Sequence, residues 1–500
     1  MNLRFLPLLL LLFAAMPLAA SADEIDRLVQ QGMDQLYNVQ FDAAAASFDQ
    51  AIRLDPKDPR GHFYRANVHL WSYLFARQQV QSVLYFNASD RVIKVAEARL
   101  STNPRDQRAR MFLGMTYGYR AIANARAENA MSAALSAKTC YDHLNEVVKA
   151  DPKLADAQLG LGIFHFIVGS VPKAAGVLAG LGGVKGDAQL GLREIENAAA
   201  RGFYFRNDAK LVLALLNIYY RDNFKAGEAV LSEMARKYPK NVAIFYALGS
   251  TYLDQNQPEK AVVYLDKVAQ LGNSDFRSIT DFSYARCGMA FFAQNNFARA
   301  KTYLQKFLRR SDEKMLKAYG WYLLGVCLEL EGGRKDAVEA YKRALQSPNY
   351  GAPEDIVAHR RAKMLMATPL TPNDKEAIKA LNNAAASNFD GAIATASALL
   401  ARRDATPAQK AQAHYAIGLG LQGEKQYAKA MESYRSAVAI GKHPETWVAP
   451  FSFLHIAECY LKLGDRTNWR KNIETAKTFH GYDNEKILRF RIERDVTMID

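Results

Sequence analysis

The chain has 500 residues, 49% of them hydrophobic and 23% charged, with a formal net charge of +14. That length allows several ordinary domains or one long repeat array, and the apolar content supplies a continuous core, which excludes an intrinsically disordered polymer. The Lys and Arg excess favours anionic partners such as phospholipid, lipopolysaccharide, acidic glycans or acidic proteins, although a solvated helical surface carries the same excess without any partner.

The first 22 residues stand apart. Arg4 gives a positive start, Phe5 to Leu18 is apolar, and Ala20-Ser21-Ala22 places small residues before Asp23. This is the pattern of a secretory signal cleaved after Ala22. The expectation is an exported, periplasmic protein, with secretion or a retained signal anchor as alternatives. No Cys follows the cleavage point, which argues against a lipid anchor, and no later stretch is long and charge-free enough to cross a membrane. Export also argues against a nucleic-acid partner.

From Asp23 onward, helical hairpins succeed one another. The first carries Gly32, Phe41, Ala44, Phe48 and Ala51, and Asp55-Pro56 ends its second helix. The next two are long. Phe63, Ala66, Leu70 and Leu74 share one face of a helix from Arg60 to about Gln78, whose partner, Asp90 to Leu100, follows an extension through Leu84-Tyr85-Phe86. Leu113-Gly114 and Tyr117 mark a third first helix, and Ala121 to Ala137 reads as a helical extension before a second helix starting at about Lys138. Between Ala155 and Arg201 the pattern is irregular, with an apolar, glycine-punctuated excursion at 169–186 and an N-cap at Asp187.

Regular spacing resumes at Asn207. Phe224 and Leu231, then Phe245, Gly249, Tyr252 and Ala261, then Tyr284, Gly288, Phe297 and Ala300 fall in phase. The clearest hairpin follows: Trp321, Leu324, Gly325 and Leu328, a break at Gly332-Gly333, then Ala337, Tyr341 and Ala344. Pro348, Pro353, Pro369 and Pro372 interrupt the phase and frame a helix around Asp355 to Met366, a candidate hinge, after which the phase returns in three further hairpins and ends in an amphipathic helix over Asn484 to Asp500. The expected organisation is a signal at 1–22, an array at 23–347 with extended and irregular repeats at 60–201, a proline-framed linker at 348–373, and a second array at 374–500 with a capping helix.

This spacing resembles the tetratricopeptide repeat (TPR), a helix–turn–helix unit of about 34 residues, and the resemblance spans nearly all of the mature chain. It implies an all-α solenoid, a right-handed superhelix of stacked hairpins whose concave face of first helices binds peptide or protein segments, and the proline-framed stretch is the candidate hinge between two lobes of it. On that register Trp71, Tyr119, Tyr219, Tyr220, Tyr246, Phe282, Phe292, Tyr322 and Tyr415 line an aromatic groove, accompanied by Arg60, Phe63, Asn67, Arg108, His165 and Phe451. Aromatic side chains suit apolar or amphipathic segments because they bury a large area at low entropic cost. Inter-repeat packing is the alternative role for each. Residues 160–195 also resemble the central segment of the Iml-two-like, inclusion-body-clearance family of eukaryotic TPR proteins, through Gly160-Leu161-Gly162-Ile163-Phe164-His165-Phe166, Pro172, Leu181-Gly182, Lys185-Gly186-Asp187 and Gly191-Leu192. That match implies a non-enzymatic helical-repeat protein.

No catalytic constellation emerges. Gly180 to Gly186 lacks the order of a phosphate-binding loop and has no strand before it. His62 and His69 alone make a poor metal site, and the acids are scattered among bases. Cys140, Cys287, Cys327 and Cys459 show neither CxxC nor metal spacing and read as buried free thiols. The expectation is therefore a non-enzymatic scaffold without metal or cofactor, holding a protein or peptide partner. The alternative is a lipid- or envelope-surface-binding protein using the basic surface and the insertion at 169–186. The oligomeric state is not legible from the sequence.

Overall fold

In the computed structural model the described residues are 16–76, 79–170, 186–272, 276–348, 352–440 and 446–499. Among them are 24 helices and no strand. The protein is an all-α solenoid of helical hairpins. It comprises two compact units, one formed by Met1–Ile244 with Asn273–Arg277 and the other by Phe245–Gly272 with Ser278–Asp500.

The first unit contains α1 (Met16–Tyr37), α2 (Phe41–Leu54), α3 (Pro59–Ala76), α4 (Gln79–Thr102), α5 (Gln107–Arg126), α6 (Ala130–Ala150), α7 (Ala157–Ser170), α8 (Ala188–Arg201), α9 (Arg206–Tyr219) and α10 (Phe224–Lys237). Its second hairpin is longer than the periodicity suggests. α4 is one unbroken helix from Gln79, so the extension at Leu84-Tyr85-Phe86 belongs to it rather than preceding it. In the third hairpin the alanine-rich extension is divided between α5 and α6. Glu128 takes a positive φ of 60°, and the Asn129 side chain caps α6 by accepting from the Ser132 N–H. Residues 171–185, most of the glycine-punctuated excursion, lie outside the described residues, and so do Pro172, Leu181, Gly182 and Lys185 of the second resemblance.

α11 (Val242–Asp254) and α12 (Pro258–Leu271) are followed by α13 (Arg277–Ala293), α14 (Phe297–Arg310), α15 (Lys317–Leu330), α16 (Arg334–Gln346), α17 (Pro353–Ala367) and α18 (Pro372–Ala385). The second unit ends with α19 (Phe389–Leu400), α20 (Pro407–Gly423), α21 (Tyr427–Ala439), α22 (Val448–Lys462), α23 (Arg466–Lys477) and α24 (Glu485–Ile499). The helix expected between the framing prolines is α17, two residues longer at its start and one at its end, with buried Ala358 and Ala362. Pro353 and Pro372 occupy first-turn positions of α17 and α18, where a missing N–H costs nothing.

Two local devices repeat along the array. The hairpin turns place a residue in the left-handed region and then an Asn N-cap. Asn223, Asn296 and Asn388 accept from the N–H three residues on, and Asp222, Asn295 and Ser387 precede them with φ of 54°, 57° and 56°. The paired helices also meet at a glycine. A Cβ on Gly325 would lie 2.4 Å from the Tyr341 ring, and one on Gly32 would lie 2.3 Å from Phe48, so no larger residue fits without separating the helices. Between these contacts the apolar stripes close the core: Ala337, Tyr341 and Ala344 are fully buried, as are Ala44 and Phe48.

All four cysteines are buried free thiols. Burial pushes the Cys140 and Cys459 thiols up to about 12, so neither is a nucleophile at neutral pH.

Candidate functional site

In the first unit the first-helix face is packed by the chain itself. The segment between α8 and α9, Phe203-Tyr204-Phe205, brings a fully buried Phe205 against Phe63, Tyr64 and Phe112, with ring centroids 5.5, 6.2 and 5.8 Å away. Asp156, at the start of α7, holds this segment. Its carboxylate accepts from the backbone N–H of Phe203 and Tyr204 at 2.9 Å and of Phe205 at 2.8 Å. Burial raises the Asp156 pKa even against these three donors. The Tyr204 hydroxyl then donates to Asp26 on α1 at 2.5 Å. Asp26 also receives Arg60, a guanidinium 2% exposed that is bidentate to Asp58 at 2.9 and 2.8 Å. Two further bonds fix the far end of α1: the Tyr238 hydroxyl donates to Asp34 at 2.7 Å, and the Asn241 amide donates to the Tyr37 carbonyl at 2.7 Å.

The expected groove residues of this unit fall on that packing. Trp71 is buried and meets the Tyr37 ring edge-on at 5.0 Å. Tyr119 packs on Phe63 at 5.3 Å and donates to Asp208 of α9 at 2.9 Å. Asp208 is pushed up to about 6 by burial, which outweighs the bond from Tyr119. Tyr219 at the end of α9 is 43% exposed, and its neighbour Tyr220 stands edge-on to Phe166 at 4.6 Å. The acids Asp26, Asp156 and Asp208 were not singled out by sequence reasoning, because their partners lie tens to hundreds of positions away.

In the second unit Tyr246 on α11 is partly buried, and its close neighbour is Arg286 on α13. Burial opposes the Arg286 charge, but Tyr246, Asp254 and Glu354 outweigh it and raise its pKa. Its Nη1 lies 3.4 Å from the Asp254 carboxylate, whereas its buried Nε has no partner among the described residues. Ser250, one turn from Tyr246, has a buried hydroxyl in the same condition. Phe282 is buried and stacked on Phe307 at 6.5 Å. Phe292 and Tyr322 are half-buried beside Val326, Ala337, Tyr341 and Ala362, with Leu365 and Met366 of α17 against the same cluster. Tyr322 also faces Tyr319 at 6.0 Å.

Tyr415 is buried farther along, within a polar row. Its hydroxyl is 3.0 Å from His455 Nε2, and His455 Nδ1 is 2.8 Å from Glu458. Glu458 also accepts from Gln422 at 3.0 Å and Arg491 at 2.5 Å. Burial disfavours its charge, but Arg491 and His455 prevail and hold the carboxyl far below the usual range. Burial pushes Tyr415 up, which keeps its hydroxyl protonated. His62 and His69 are separately engaged, His62 by the Pro56 carbonyl at 3.0 Å and His69 by Gln81 at 2.9 Å. Among the described residues no group of three or more His, Cys, Asp or Glu could hold a metal ion, and no helix is long and apolar enough to cross a membrane.

The hairpins also carry a family signature. A family model described as tetratricopeptide repeat matches residues 29–70 and 288–352, and a second model of that description matches 242–271. A comparison with curated protein sequences gives no match. Among solved structures, Pseudomonas aeruginosa pilF is 15% identical over 52% of this chain and 100% of its own, with a TM-score of 0.36. Yeast Tom70 is 11% identical over 91% and 99%, with a TM-score of 0.30. A tetratricopeptide repeat protein from Parabacteroides merdae is 12% identical over 57% and 98%, with a TM-score of 0.27.

Proposed function

Because the chain belongs to the tetratricopeptide-repeat superfamily, we propose that it is an exported, non-enzymatic scaffold that holds a segment of another protein on the first-helix face of its second unit, around Tyr246, Arg286 and Tyr322. Arg286 carries this reading. A buried guanidinium N–H without a partner is a cost that native structures rarely keep. A carbonyl or carboxylate from a bound segment would satisfy it, while Tyr246, Phe292 and Tyr322 offer ring surface to the same segment. Export rests on the amino-terminal pattern, and the periplasm is the compartment we propose, with secretion or a retained signal anchor as alternatives. The test is recovery of partners from envelope extracts by the purified chain and by a Tyr246→Ala, Arg286→Gln, Tyr322→Ala variant. Loss of a specific polypeptide supports the reading, whereas unchanged recovery contradicts it.

A second reading, contact with a lipid or envelope surface, is favoured by the long hairpins of the first unit. Val80, Val83 and Leu84 near the start of α4, Ile122 near the end of α5, and Met131 and Leu135 near the start of α6 are each at least 40% exposed. Exposed apolar side chains gathered at helix ends suit a bilayer interface. Co-sedimentation with phosphatidylglycerol vesicles, compared between the wild type and Val83→Ser, Ile122→Ser, Met131→Ser, tests it: equal binding by both contradicts it.

A further inference from the structure

The outward helices of the second unit carry a row of cations laid on aromatic rings. Lys260 and Lys267 of α12 lie over Tyr252 and Phe245, at 5.4 and 4.2 Å from the ring centroids. On α14, Arg299 lies 4.1 Å from Phe291, and Lys306 is shared between Tyr284 at 5.6 Å and Tyr303 at 5.1 Å. Arg343 of α16 continues the row over Trp321 at 4.8 Å. α14 itself, FARAKTYLQKFLRR, has five cations and no acid. Arg299, Lys306 and Arg309 are exposed, and none has a carboxylate partner among the described residues. The charged heads rest over the rings while the side chains stay exposed to water, so these cations are held in place before any ligand arrives.

We propose that the outward face of α14, with Lys260 and Lys267 of α12, binds an extended acidic segment of a protein. α14 is about 20 Å long, the reach of an extended segment of about six residues. The row is bordered by exposed acids: Glu259 on α12, and Asp336 and Glu339 on α16. Asp266 of α12 is already engaged by the Tyr303 hydroxyl at 2.8 Å; a flat anionic bilayer laid on this face would meet the exposed acids broadly, whereas a linear acidic chain following α14 runs along a helix that carries none. This surface is separate from the one around Tyr246 and Arg286 and does not depend on it.

The probe is a fluorescein-labelled peptide of alternating Glu and Ser, its binding to the full chain followed by anisotropy across NaCl concentration. The expected result is binding that weakens with salt and that falls about tenfold or more in an Arg299→Gln, Lys306→Gln, Arg309→Gln variant, as removal of paired charges does elsewhere. A charge-matched control, Arg403→Gln, Lys425→Gln, Lys429→Gln, is expected to bind as the wild type does, which separates a local site from the net charge. Lysine replacements at Arg299 and Arg309 are expected to retain binding, and an unchanged thermal melt shows that the glutamine variant is folded. Equal losses in the variant and the control overturn the proposal, as does an absence of peptide binding. Binding to phosphatidylglycerol vesicles that depends on Arg299, Lys306 and Arg309 while the peptide does not bind also overturns it, assigning the row to a membrane.

Discussion

The fold sets when Asp208 gives up its proton. In the unfolded chain it ionises as an ordinary aspartate, with a pKa near 3.8, and in the folded chain only at about 6. Between those values the native state binds a proton that the unfolded state lacks, so stability falls as pH rises and the loss is complete above about pH 6. The loss is on the order of 2 kcal/mol once residual solvent access is allowed for. Asp208→Asn keeps an acceptor for Tyr119 and removes the titration. Its urea midpoint is expected to match the wild type near pH 4 and to exceed it near pH 7, and a gap of the same size at both pH values contradicts the assignment. In the sequence Asp208 is an ordinary acid in the first turn of a helix. Nothing local announces Tyr119, which stands 89 positions earlier.

At the scale of elements, the helix between the framing prolines, α17, was legible, because a proline can start a helix as readily as it ends one, but its contacts were not. Asp355, fully buried at the start of α17, accepts from the N–H groups of Leu316 and Tyr319 at 2.9 Å each and so caps α15 from outside that helix. Arg334 of α16 donates to the Leu365 and Met366 carbonyls at 2.7 and 3.0 Å, closing the other end of α17. The next helix is tied as well, because Asn382 donates to the Phe292 carbonyl at 2.9 Å and to Asn295 at 3.0 Å. Asp355→Ala leaves two buried donors open and is expected to cost about 2–3 kcal/mol in urea unfolding. Asp355→Asn, which keeps one acceptor, is expected to cost less. Equal stability of Asp355→Ala and wild type would show that α17 does not brace α15. The helices flanking it were legible because glycine, aromatic and alanine recur at fixed offsets, whereas a capping contact between residues 355 and 316 has no such period.

At the scale of the whole molecule the solenoid was legible and the closure of its first unit was not. Repetition makes the stacked hairpins visible in one dimension, since each must bury its stripes on its neighbours. The clasp of α1 onto Tyr204, Tyr238 and Asn241 joins positions more than 170 apart, and it converts Trp71 and Tyr119 from groove residues to packing. Removing two of its bonds with Tyr204→Phe and Tyr238→Phe is expected to raise amide exchange throughout α1 while the helices of the second unit keep their protection. Unchanged exchange in α1 would mean that apolar contacts alone hold it. Among the aromatic positions that the register selects, Tyr246 neighbours Arg286, whose buried Nε has no partner among the described residues. The most direct measurement is site-specific photocrosslinking in envelope extracts, with benzoylphenylalanine placed at Tyr246 and, as a control, at exposed Lys335 on α16. A discrete polypeptide adduct at Tyr246, absent at Lys335 and lost when Arg286→Gln is added, is the predicted result; no adduct at Tyr246, or the same adducts at both positions, contradicts a segment-binding first-helix face.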